Sequence, residues 1–376
     1  MSFKLKGRSY NIPVENIYLT IIILCLGFFS LWLPTLYGGV EDARAAGLTV
    51  CASGCDHTTI LAAAGAASSG DTVFIQSTYN SSTESWELGE GGEYSIAFPG
   101  PGVTYICSST DVEIGGVTST AAYKIRMDER SSTTFQNCTF NNTELTIASS
   151  TVITGNVFNR TTSTLAIVDA SNAGFNQSNI TVTNNIFNDD WGSNTSSQVM
   201  IQFNELAGPH SNIVISSNTF NYEADGVSAD PGAIVIPGGS FTIQGNYFKL
   251  GSNPVGGDSI AIIAEPSTAS GALSLNLLHN TFWVQSQATF FTMLSLGGGN
   301  DGVGYQNADV TSTYNIFYSE HVVSDPGVKG VSVEWNTSTF SGTLYEDYNG
   351  WYGLDSSDDY IQLSGDATSS FAITFG

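Results

Sequence analysis

An Asn, any residue and an aromatic ring keep returning along this chain. The unit appears as Asn156/Phe158, Asn185/Phe187, Asn218/Phe220, Asn246/Phe248, Asn280/Phe282 and Asn315/Phe317, with Asn349/Trp351 as a late variant and Cys138/Phe140 as an early one. From Asn156 onward, successive stations lie 28 to 35 residues apart. A helical repeat keeps its length, whereas this interval varies. The constant element is therefore one structural station revisited after loops of changing size.

Short alternating runs precede the stations, such as 179–184 (NITVTN), 212–217 (NIVISS) and 273–278 (LSLNLL). A second β-rich run lies between stations, as in 198–203 (QVMIQF), 232–238 (GAIVIPG) and 259–264 (SIAIIA). Period-2 alternation bounded by Gly, Asn, Asp and Ser reads as strand–turn–strand. Two or three strands per return predict an all-β parallel β-helix, with regular coils over about 131–352 and a cap or tail over 353–376. Adjacent coils lie about 4.8 Å apart, so equivalent side chains stack in columns. Each Phe is expected to point inward onto the Phe above and below. Each Asn is expected at a left-handed turn, its amide bonding the backbone and the next Asn.

The segment 58–75 (TTILAAAGAASSGDTVFI) predicts a helix over about 58–68, capped by Thr58 or Thr59, then a Gly-Asp turn into a strand. Such a helix covers the open apolar end of a solenoid. Residues 76–130 are the least periodic, and 77–94 reads as a loop.

This entry, followed by Asn-x-Phe coils, resembles secreted parallel β-helix proteins of the pectin lyase-like superfamily over about residues 50–352. The resemblance implies a single-stranded right-handed parallel β-helix (solenoid) with a short N-terminal capping helix. It leaves function open, because that superfamily includes polysaccharide lyases, glycoside hydrolases, esterases, epimerases, phage tailspikes and noncatalytic surface proteins.

The N-terminus has the pattern of a targeting segment: Lys4, Lys6 and Arg8, an apolar run over 17–36, and Ala43–Ala45 as a small-x-small site. Residues 1–45 are expected to be a signal peptide or a membrane anchor, and 46–376 the β-helix domain. Either role exports the rest, to a secreted or cell-surface location. Cys51 and Cys55 are then a candidate disulfide. Cys107 and Cys138, about one coil apart, form a disulfide or two buried thiols.

Only 12% of residues are charged, and the net charge is −24. This excludes nucleic acid and anionic membrane surfaces as partners, since both need a basic footprint. The expected partner is a polysaccharide or cell-surface glycan. Membrane contact is confined to the N-terminal segment, and the oligomeric state stays open. No cofactor is evident. Loop carboxylates, Asp189 with Asp190 or Asp355 with Asp358 and Asp359, leave room for Ca²⁺. His57, His210, His279 and His321 fall on separate loops and strands, with His210 in a turn, and give no metal set.

Two functions compete. The first is an exported, noncatalytic surface protein, carbohydrate-binding or adhesin-like. The second is a polysaccharide-active enzyme, a glycoside hydrolase or polysaccharide lyase, using carboxylates stacked on one face. Paired acids are what glycosidic hydrolysis requires, and the candidates are Asp225, Asp230, Asp258 and Glu265. The run 256–265 is similar to a polygalacturonase stretch, Asp258 matching its second Asp, but Gly257 stands in place of the first. Lyase chemistry needs a base, and Lys124, Arg126 and Arg130 are the basic cluster available. Alternation puts Lys124 and Arg126 on one strand face, where a solvated edge guarded by charge is the competing role.

Overall fold

The computed structural model describes residues 2–5, 8–11, 47–88, 94–98, 102–116, 122–127, 132–160, 166–170, 176–191, 199–203, 209–224, 232–250, 259–266, 270–285, 291–297, 307–320, 328–335, 341–352, 359–365 and 370–375. The chain divides into two units, Met1–Ala46 and Gly47–Gly376. In the first, Ser2–Leu5 pairs antiparallel with Arg8–Asn11. The apolar run 17–36 lies outside the described residues. No helix among the described residues is long and apolar enough to cross a membrane.

The second unit is a parallel β-helix. Among the described residues its strands form three sheets of 12, 9 and 11 strands. One coil shows the plan. Thr181–Thr183 joins the first sheet, Ile186–Trp191 the second and Val199–Phe203 the third, and His210–Ser216 then returns to the first. Pairing is parallel and in register, with Phe158 opposite Phe187 and Phe187 opposite Phe220.

The core follows from that register. Phe140, Phe158, Phe187, Phe220, Phe248, Phe282 and Phe317 are buried and stack with centroids 4.7–5.0 Å apart, and Trp351 closes the column at 4.0 Å. Fully burying each ring contributes about 1.5–3 kcal/mol.

The Asn side chains form the expected ladder, but the left-handed residue is the one before each Asn. Asn184, Ser217, His279, Tyr314 and Tyr348 have φ of 53–56°. That turn swings the following Asn inward, where Asn185, Asn218, Asn280 and Asn315 are 0–1% exposed. Buried there, each amide must find partners inside the protein. Asn218 Nδ2 donates to the Val182 carbonyl at 2.9 Å and to Asn246 Oδ1 at 3.0 Å. Asn156, Asn185, Asn246, Asn280 and Asn315 repeat this pattern. Cys138 takes the Asn place at the start, its N–H donating to Asn156 Oδ1 at 2.9 Å.

The capping helix is Ile60–Ala66, with Thr59 as its N-cap and Ile60, Ala63 and Ala64 turned into the core. Glu84 accepts from the Ile60 and Leu61 N–H groups of its first turn. Cys51–Cys55 is a disulfide. Cys107–Cys138 is a second one, with Cα atoms 5.1 Å apart, which decides between bond and free thiols. One segment differs from expectation: Glu87–Leu88, expected in a loop, adds an antiparallel strand beside Tyr94–Ala97. Beyond 352, Asp359–Gly365 and Ser370–Phe375 continue the third and first sheets.

Candidate functional site

In-register stacking makes charge expensive on this fold, because each side chain faces its counterpart one coil away at about 4.8 Å. Like charges would repel along a column, and two buried or half-buried basic side chains, Lys124 and Arg160, sit over acids. Arg160 lies opposite Asp189. Its Nε and Nη2 donate to the two carboxylate oxygens at 3.1 and 2.7 Å, with both side chains at most 2% exposed. Asp189, a candidate calcium ligand by sequence, is thus engaged by a guanidinium. Asp355 and Asp358 lie outside the described residues.

The outward face of the third sheet carries the second pairing. Lys124 lies opposite Glu144. Its ammonium contacts Glu144 at 2.5 Å and Asp169 at 3.9 Å. The edge-guard role read for Lys124 is therefore replaced by an ion-paired position within a sheet. Glu144 is buried and also accepts from the Thr146 hydroxyl at 3.0 Å. Burial pushes its carboxyl up to about 7, with the Asp169 charge adding and Lys124 opposing. A crevice beside it is lined by Asn142, Glu144, Asn159, Arg160 and Ile167.

Among the four acids singled out by sequence, Glu265 is half-buried after the strand Ser259–Ala264, where its N–H donates to the Ile236 carbonyl. Asp225, Asp230 and Asp258 lie outside the described residues. His210 is not in a turn. It begins the strand His210–Ser216, is 1% exposed, and its Nδ1 accepts from the Gln177 N–H at 3.1 Å.

A different surface gathers the exposed rings. The turn column between the first and second sheets ends in His279, Tyr314 and Tyr348, stacked at 5.1 and 4.9 Å with ring planes within 12°. Tyr314 is 51% and Tyr348 69% exposed. Tyr345 flanks them on the first sheet, and Ile316, Tyr318 and Tyr352 on the second, all exposed. Such clustered exposed rings make this surface a candidate for binding.

The outward column of the second sheet explains why the patch begins where it does. Asn141, Asn159, Asn188 and Asn221 form a half-buried amide ladder with links of 2.8–2.9 Å. In the same register follow Lys249, Trp283, Tyr318 and Tyr352. Lys249 Nζ lies 5.8 Å from the Trp283 ring centre. The column thus passes from amides to a cation and then to rings. Sequence reading offers Trp191, Trp283, Tyr222 and Tyr247 as rings for sugar stacking but passes over the turn column, although its signal was visible: His279, Tyr314 and Tyr348 each directly precede a ladder Asn.

No family model and no curated protein matches the sequence. The structure is similar to that of a Yersinia enterocolitica family 28 exopolygalacturonase, at 12% sequence identity and a TM-score of 0.31, over 82% of this chain and 68% of that one.

Proposed function

We propose that this chain is an exported, noncatalytic β-helix whose aromatic corner binds glycans. The carrying observation is the stacked, exposed His279–Tyr314–Tyr348 column with its flanking tyrosines. Phenol rings offer apolar surface and a hydroxyl at the rim, which suits a sugar's C–H face and polar edge. The adjoining Asn ladder supplies further donors and acceptors. The net charge of −24 favours neutral glycans over polyanions. Two disulfides and the basic-then-apolar N-terminus support export to an oxidising compartment. Retention of the protein on an array of immobilised neutral glycans, with no release of reducing ends, is the expected result. Failure to be retained on any of them would sink this reading.

A polysaccharide-active enzyme is the second reading, favoured by the Glu144–Asp169 pair. One ammonium touches both acids, so their nearest oxygens are no farther apart than those two contacts combined. Retaining glycosidases hold their carboxyl groups about 5–5.5 Å apart, with one acid raised toward neutrality. In this reading Glu144 protonates the leaving oxygen and Asp169 attacks or activates water. Reducing-end release by the parent, lost in Glu144→Gln and Asp169→Asn, would favour it over the binding role.

A further inference from the structure

We propose that Gly245 opens a ring-sized subsite in the turn column, which seats one pyranose ring of the bound glycan against His279; this rests on the glycan-binding reading of the aromatic corner. The column runs Asn184, Ser217, Gly245, His279, Tyr314, Tyr348, one residue per coil. Every member has a left-handed backbone, with φ between 53° and 62°. Asn, Ser, His and Tyr all hold that conformation here, so the turn itself does not demand glycine.

Packing does not demand it either. A Cβ built on Gly245 would meet nothing nearer than Ser217 Oγ at 3.8 Å and Ser217 N at 4.0 Å, ordinary contact distances. Gly155, earlier in the same column, differs: its Cβ would lie 2.6 Å from Asn137 Oδ1. Glycine is required by a neighbour at 155, whereas at 245 there is room for a side chain.

That space has a defined roof. One face of the His279 ring lies on Tyr314. Its other face is turned toward the coil of Gly245, which has no side chain to cover it. Ser217 forms the floor, two coils below His279, so about 10 Å separates the backbones that bound the gap. That is room for one more ring in a column whose existing rings stack at 4.9–5.1 Å. Gln244 is exposed beside the gap and Tyr247 half-buried, so amide, hydroxyl and phenol groups surround an aromatic roof. A ligand matched to those walls has a flat C–H face and a hydroxylated rim, as a pyranose does.

Titration calorimetry of the full chain with gluco-, xylo- and mannohexaose tests the subsite. Gly245→Tyr fills the gap with a residue the column already holds at 314 and 348. It is expected to weaken binding at least tenfold, with Tm lowered only by what a left-handed backbone costs a non-glycine residue. Gly245→Asn, a residue the column tolerates at 184, is expected to weaken binding severalfold and guards against a folding defect in the larger variant. If the parent binds and both variants bind equally well, the subsite is wrong and the corner survives. If the parent binds none of the three, the glycan reading falls and takes the subsite with it.

Discussion

The side-chain oxygen of Asn218 accepts two hydrogen bonds from Asn185, one from its backbone N–H at 2.9 Å and one from its amide at 3.0 Å. A single oxygen thus fixes both the turn and the side chain of the coil before it. Asn218→Ala leaves that buried N–H unpaired and also takes away the acceptor of the Asn185 amide. Each buried orphan costs about 1–3 kcal/mol, so a loss of about 3 kcal/mol or more in urea unfolding is expected. Asn221→Ala breaks a link of the outward ladder, where water can substitute, and should cost less than about 1 kcal/mol.

Arg160 and Asp189 are expected to be unequal to their sum. Arg160→Met strands a carboxylate that is 1% exposed, at a cost of about 3–5 kcal/mol. Arg160→Met with Asp189→Leu removes both charges and should recover most of that loss, as a double-mutant cycle in denaturant would show.

Glu144 sets a pH dependence of known sign. Its folded-state pKa is raised from 4.5 to about 7, first by burial. Between those values the folded protein holds a proton that the unfolded chain has released. Stability from this group is therefore greatest at low pH and falls as pH rises through that window. Glu346, also raised to about 7 by burial, acts in the same direction. Melting from pH 5 to 8 should show Glu144→Gln gaining on the parent by about 2 °C or more as pH rises. A constant difference between the two would contradict the assignment.

The Cys107–Cys138 bond closes a separation of 31 residues, that of Cys51–Cys55 only 4. On loop-closure entropy, replacing the first pair by Ala costs about 3–4 kcal/mol and the second about 2 kcal/mol. Unfolding midpoints of the two double variants should fall in that order.

The fold was legible because its signal is repeated. Every Asn-x-Phe station states the same inward amide and inward ring, and the varying interval itself points to loops between coils. The capping helix was legible from Thr59 and the Gly-Asp turn. Lateral relationships were not. Lys124 and Glu144 lie one coil apart at 20 positions, Thr146 and Asp169 one coil apart at 23, and nothing local in the sequence gives those intervals. Tyr314 and Tyr348 escaped notice for another reason. Attention falls on the conserved spacing of Asn and Phe, while the residue before the Asn, which carries the turn and faces outward, changes from coil to coil.

The aromatic corner is most directly tested by titrating gluco-, xylo- and mannohexaose into the parent and into Tyr314→Ala/Tyr348→Ala. Both rings are exposed, so their removal should leave the melting temperature within about 2 °C. Stacking losses of about 0.5–1.5 kcal/mol per ring correspond to roughly a five- to hundredfold drop in affinity. Loss of binding with the fold intact is the expected result. Undiminished binding by the ringless variant would place the ligand elsewhere and contradict the function proposed for this surface.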